Sequence, residues 1–132
     1  MKILIITPYF YPENFRINDF AFKMSKRGHS IAVLTGMPNY PEGKFFGKYR
    51  ILKKETFNNV EIYRVPIIPR GNSNKINLFI NYLSFLISGI IFGPFLLRSF
   101  KPNLIFAINY TPPSASIIGY IMGKIYNAPL YL

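Results

Sequence analysis

Few side chains in this 132-residue chain can do chemistry. One histidine, five Asp and Glu and no cysteine leave out thiolate chemistry and argue against a structural zinc site or a carboxylate metal cluster. The five carboxylates are scattered, and two of them, Glu13 and Asp19, fall in Tyr11-Pro12-Glu13-Asn14-Phe15-Arg16-Ile17-Asn18-Asp19. Asp19 falls one turn into an expected helix, where the dipole favours a carboxylate that can accept hydrogen bonds from sugar hydroxyls; it reads equally as a solvated first-turn residue. Glu13 and Arg16 carry the same two readings. Arg16 stands at a helix start, beside free backbone N–H groups that can hold a phosphate. His29, between a helix-ending glycine and a strand, reads as a turn residue rather than a catalytic base. No Ser–His–Asp set is arguable, no GxGxxG follows the first strand, and no P-loop motif occurs.

A second concentration of unusual residues is basic and aromatic. Lys44, Phe45, Phe46, Lys48, Tyr49, Arg50, Lys53 and Lys54 lie within eleven consecutive positions. Rings at headgroup depth with cations on anionic lipid suit a membrane interface. Stacking on single-stranded nucleic acid and a solvated basic strand edge are the competing readings. Membrane contact ranks first, because the neighbouring uncharged helix adds apolar surface that nucleic-acid binding does not need. The whole chain agrees with an anionic partner: sixteen Lys and Arg give a formal charge of +11.

The elements that must position these groups follow from hydrophobic spacing. Lys2 to Thr7 is a short β-branched run suited to a strand buried on both faces, and Phe15 to Arg27 has helical apolar spacing. Lys26 and Arg27 suit its last turn and Gly28 its left-handed end. Ile31 to Thr35 completes a right-handed βαβ unit. Ile51 to Phe57 and Val60 to Val65 flank Asn58-Asn59 and read as a hairpin. Ile76 to Leu97 has no charge over 22 residues. Its Asn77, Asn81, Ser84 and Ser88 line one helix face, and Pro94 is expected to break or kink it, so a long half-buried helix is favoured over a transmembrane one. Asn103 to Ile108 is a third core strand, Ser114 is expected to cap a helix reaching Tyr126, and Pro129 to Leu132 begins another strand. Gly119 and Gly123 permit close packing of that helix on a sheet. The outcome is a single three-layer α/β domain over residues 1–132 with a mainly parallel sheet. Three loops, Pro8 to Asn14, Gly36 to Gly43 and Asn109 to Pro113, are expected to meet at the carboxyl ends of the strands, where such sheets bind ligands. The short apolar run before Pro8 does not fit a signal peptide, so a cytoplasmic location is expected, and the final strand suggests a fragment.

Lys2-Ile3-Leu4-Ile5-Ile6, Lys26-Arg27-Gly28-His29-Ser30-Ile31-Ala32-Val33-Leu34-Thr35 and Lys101-Pro102-Asn103-Leu104-Ile105-Phe106 resemble glycosyltransferase family 4. The loop motif over 11–19, with Gly36-Met37-Pro38-Asn39-Tyr40-Pro41-Glu42-Gly43, resembles its O-antigen and colanic-acid fucosaminyltransferase (WbuB-like) branch. The resemblance implies the N-terminal, acceptor-binding half of a GT-B enzyme, a Rossmann-like domain whose partner half binds the donor. The implied reaction is retaining transfer from a nucleotide-sugar to a lipid-linked sugar acceptor in bacterial surface polysaccharide synthesis. It implies no cofactor or essential metal, peripheral attachment to the inner face of the plasma membrane, and no nucleic acid. Asp19 becomes the candidate catalytic group, and Glu13, Asn14, Arg16, Asn39, Tyr40, Tyr110 and Thr111 the acceptor-binding set. Asn103 stands where the family often has Asp. The donor-binding half, with the carboxylate pair that holds the donor, lies outside the match, so this polypeptide alone is expected to be inactive. A nucleic-acid-binding or membrane-binding module without transferase activity is the alternative.

Overall fold

Strand β1 (Lys2–Ile6) is buried from Ile3 onward, as a continuous apolar run requires of a central parallel strand. The computed structural model describes residues 1–37, 52–69, 71–72, 74–109 and 113–132. In it β1 pairs in parallel with β2 (Ser30–Gly36) on one side and β5 (Leu104–Ala107) on the other. Strand β4 (Val60–Val65) adds parallel to β2, and β6 (Leu130–Tyr131) parallel to β5. Strand β3 (Lys53–Phe57) pairs antiparallel to β4, giving the order β3-β4-β2-β1-β5-β6. This is the expected Rossmann-like α/β architecture with a mainly parallel sheet.

The two-residue period of the strands sorts the core into two layers. Ile3, Ile5, Ile31, Val33, Val60 and Ile62 pack under helix α1 (Arg16–Lys26) with Ile17 and Ala21. Leu4, Ile6, Ala32, Leu34, Tyr63 and Val65 pack on the other face under α2 (Lys75–Leu96) and α3 (Ser114–Tyr126), with Phe85, Ile118 and Met122.

Local stereochemistry sets the connections. Gly28 ends α1 at φ 94°, and the Gly28 and His29 amides bond back to the Ser25 and Met24 carbonyls at 3.0 and 3.3 Å, the paired bonds of a Schellman end. Asn58 and Asn59 both have positive φ, 51° and 62°, as a two-residue type I′ hairpin turn demands. Asn103 pins β5 to β1: its side chain accepts the Lys2 amide at 2.8 Å, and its own amide donates to the Lys2 carbonyl at 2.8 Å. An Asp carboxylate accepts the same bond. A Cβ on Gly119 would meet Leu130 at 2.8 Å, and one on Gly123 the Ala128 carbonyl at 3.0 Å, so these glycines let α3 lie close on the sheet.

Two expectations are corrected. Of the break or kink expected at Pro94, the break does not occur: helix α2 runs on to Leu96. Gly93, having no Cβ to clash with the proline ring, tolerates the helical conformation before it. The Leu97 amide still reaches the Gly93 carbonyl at 3.0 Å, and the Tyr126 hydroxyl donates to the Pro94 carbonyl at 3.2 Å. Ser114 does not cap α3 either: it is the first helical residue, Pro113 occupies the cap position, and Asn109 from the preceding loop accepts the Ser116 amide at 3.0 Å.

The hairpin turn gives a direct test. Because position 59 holds a left-handed conformation, Asn59→Gly is expected to raise stability by about 0.5 kcal/mol and Asn59→Val to lower it by about 1–2 kcal/mol in urea melts.

Candidate functional site

Strand β1 is the switch point of the sheet. The chain leaves it through α1 towards β2, whereas β5, on its other side, leaves through α3 towards β6. In open parallel sheets such a point, where connections depart in opposite directions, marks the usual ligand position at the carboxyl ends of the strands. The rim is built from residues 7–15, the end of β2, residues 66–69 after β4, and residues 108–109 before α3.

The loop after β1 is held from both faces of the sheet. On the α2 side, buried Tyr9 stacks on Phe15 at 5.0 Å, and its hydroxyl lies 3.3 Å from Asn81 Oδ1 and 3.2 Å from the Tyr82 hydroxyl. Asn81 passes the constraint on by donating to the Ile68 carbonyl at 2.7 Å, while the Ile68 amide donates to Ser84 Oγ at 2.9 Å. The polar face of α2 expected from the sequence thus holds the loop after β4. On the α1 side the anchor is Arg64, only 1% exposed. Its Nε lies 2.7 Å from Glu55 Oε1, its Nη1 donates to the Gly36 carbonyl at 3.2 Å, and its Nη2 donates to the Tyr11 carbonyl. One planar guanidinium therefore ties together the hairpin, the end of β2 and the loop after β1. Partial burial by itself would raise the Glu55 carboxyl, but the hydrogen bonds and charges of Arg64 and Lys53 outweigh it and hold the group below its ordinary value of 4.5.

Asn14, Arg16 and Asp19 are exposed, the first in the loop and the others in the first turn of α1. Glu13 is turned inward: it is 1% exposed, its Oε1 accepts the Phe10 amide at 3.3 Å, and its carbonyl accepts Asn18 Nδ2 at 2.7 Å. It lies beneath the loop rather than on its surface. His29 is at the far, amino-terminal edge of the sheet, where its Nδ1 lies 3.4 Å from the Met1 amino group. Lys53 pairs with Glu55 at 3.2 Å and Lys54 stands 5.2 Å from the Tyr63 ring centre, both on the edge strand β3. Asn39, Tyr40, Tyr110 and Thr111, like Lys44, Phe45, Phe46, Lys48, Tyr49 and Arg50, lie outside the described residues.

Among the described residues, three buried polar atoms find no hydrogen-bond partner: Asn18 Oδ1 in the first turn of α1, Thr35 Oγ1 near the end of β2, and Ser114 Oγ at the start of α3. Each such atom costs about 1–3 kcal/mol when left unpaired. All three belong to segments that begin or end near this rim, and all three are shut off from solvent. A cavity of about 470 Å³ at the opposite edge has a different character. There the Tyr63 hydroxyl donates to Glu61 at 2.8 Å, and burial together with that carboxylate pushes the phenol above its usual range.

Neither Arg64 nor the Tyr9–Asn81 pair was singled out from the sequence. A signal for Arg64 exists: it is a lone cation in the β-prone run Val60-Glu61-Ile62-Tyr63-Arg64-Val65, on the same strand face as Val60 and Ile62. No family model matches this chain, and no curated protein is significantly similar to it.

The buried pair generates two expectations. Arg64→Met should destabilise the fold by about 3 kcal/mol, since it leaves the Gly36 and Tyr11 carbonyls without this donor and the Glu55 carboxylate with Lys53 alone, and thermal melts will register the loss. Because the folded Glu55 carboxyl sits below its unfolded value, its contribution is present above about pH 4.5 and is lost as the pH falls through the folded value. Glu55→Gln should therefore lower stability at neutral pH and flatten the acid limb of the stability–pH curve measured by urea melts.

Proposed function

We propose that this chain is the acceptor-side domain of a retaining GT-B glycosyltransferase that moves a sugar from a nucleotide-sugar to a lipid-linked acceptor in bacterial surface polysaccharide synthesis. The observation that carries the reading is the rim at the β1/β5 switch point. An anchored loop and the first turn of α1 present Asn14, Arg16 and Asp19 there to solvent. Sugars are recognised by many hydroxyl hydrogen bonds in fixed directions, and such a site needs polar groups on a stiff support.

In this reading Arg16, at the start of α1, meets the diphosphate of the acceptor, where the helix dipole and the first free amides favour an anion. Asp19 accepts a hydrogen bond from an acceptor hydroxyl and is the candidate group for drawing off its proton as that oxygen bonds the anomeric carbon of the donor sugar and the bond from this carbon to the nucleoside diphosphate breaks, releasing the diphosphate. Asn14 reads hydroxyls from the loop surface and Glu13 holds the loop from beneath; Asn39, Tyr40, Tyr110 and Thr111 join the acceptor-binding set on the family resemblance alone. The nucleotide-sugar is a substrate supplied by a second domain, not a resident cofactor. The resemblance to glycosyltransferase family 4 over the motifs at 11–19 and 36–43 supports this assignment.

The test is a titration of the isotope-labelled chain with a water-soluble short-prenyl diphosphate sugar. Amide shifts should move at Asn14, Arg16, Asp19 and Asn109. Asp19→Asn and Arg16→Ala should each weaken binding about tenfold, or ~1.4 kcal/mol, without changing the far-ultraviolet dichroism. Shifts confined to the amino-terminal edge around His29 and Lys54 would overturn the reading.

A further inference from the structure

Helix α2 is buried along one side and bare along the other. Asn81, Tyr82, Phe85, Gly89 and Gly93 face inward, and a Cβ on Gly89 would meet the Ile118 side chain of α3 at 2.5 Å. On the outer side Ile76, Phe79, Leu83, Ile87, Ile91 and Phe95 recur every three or four residues and are 41–70% exposed. Apolar hollows widen this stripe on both flanks: one of about 120 Å³ joins Phe79 and Leu83 to Ile117 of α3, and one of about 370 Å³ joins Leu83 and Ile87 to Ile68. A continuous apolar face of this length is unusual on a surface that meets only water.

Charge says what covers it. The chain has no Asp or Glu after Glu61, so every side chain charged at neutral pH in the polypeptide forming α2 and α3 is a cation. Lys75 stands at the start of α2, Arg98 and Lys101 just beyond its end, and Lys124 on α3. Two of these cations lie by exposed aromatic rings, Arg98 at 5.0 Å from the Phe95 centre and Lys124 at 5.5 Å from that of Tyr120. Apolar side chains flanked by cations and rings, with no carboxylate, match the acyl–headgroup boundary of an anionic leaflet. A second copy of the chain would bring another acid-free face against this one and repel it.

We infer that the outer face of α2, with Ile68 and Ile117, seats the molecule on an anionic bilayer, the helix lying in the plane of the interface. Length and composition alone would let α2 cross a membrane. Its inner face is occupied: Asn81 holds the Ile68 carbonyl, and Gly93 packs against Leu34 and Met122, so surrounding the helix with lipid would dismantle the core layer beneath it. The inference deepens the transferase reading, on which its link to a lipid-borne acceptor rests, by naming the surface from which such an acceptor is reached.

The chain contains no tryptophan, so a single introduced one reports cleanly. Ile87→Trp should shift its emission to the blue with vesicles of phosphatidylglycerol and phosphatidylethanolamine and be quenched by brominated acyl chains. Phe20→Trp, on α1, should do neither. Ile87→Glu with Ile91→Glu should lower co-sedimentation with those vesicles at least tenfold while keeping the native dichroism. Equal binding to pure phosphatidylcholine, a blue shift that tracks a doubling of mass without lipid, or resistance to carbonate extraction would each overturn the inference. Acceptor binding in solution without vesicle binding overturns this seat and leaves the transferase reading standing. Vesicle binding without acceptor binding supports the seat and sinks the transferase reading.

Discussion

A guanidinium taken out of water inside a sheet is the constraint on which this rim depends. Desolvating a cation costs several kcal/mol unless its donors all find acceptors. Arg64 finds acceptors for Nε, Nη1 and Nη2 on three separate segments: the Glu55 carboxylate on β3, the Gly36 carbonyl at the end of β2 and the Tyr11 carbonyl in the loop after β1. Because the guanidinium is planar and its donors fixed in direction, the three acceptors cannot drift independently. The hairpin is thus a support for the rim as well as an edge for the sheet. Its charged outer strand, Lys53-Lys54-Glu55-Thr56-Phe57, also guards that edge against further pairing.

The Tyr9 hydroxyl is the matching anchor on the opposite face. By reaching Asn81 and Tyr82 it makes the loop after β1 depend on α2, and Asn81 in turn makes the loop after β4 depend on the same helix. The few polar residues of α2 are therefore connectors. They explain how a helix so apolar belongs to a sheet-based domain: its inward groups are committed to loops and to α3, and only its outward face is left over. The site at the strand ends and the bare face of α2 are consequences of one arrangement, because a single helix supports the first and presents the second.

Much of the fold is legible in the residues because the forces that set it are local. The β-branched run Ile3-Leu4-Ile5-Ile6 announces a doubly covered strand, Gly28 a left-handed helix end, and Asn58-Asn59 a tight hairpin; each depends on neighbours a few positions away. The candidate rim was legible in part. Asn14, Arg16 and Asp19 are surface groups at the expected strand end, since a βαβ unit leaves its first loop little choice of place. Glu13 looked the same in sequence and lies inside, because the turn that closes with the Glu13 amide on the Phe10 carbonyl at 2.9 Å points its side chain back to the Phe10 amide.

The amino-acid sequence by itself determined the strand and helix periods, the turn positions, the basic excess and the absence of carboxylates beyond residue 61. Tertiary structure alone decided that Arg64 is buried, that Pro94 sits inside a helix, that Asn109 rather than Ser114 caps α3, and which side of α2 stays bare. The partners of Arg64 lie 9, 28 and 53 residues away, and Tyr9 meets Asn81 across 72. Periodicity and propensity describe what a residue prefers among its immediate neighbours. Whether a charge can be satisfied, or an apolar face covered, depends on groups that only the folded chain brings within bonding distance.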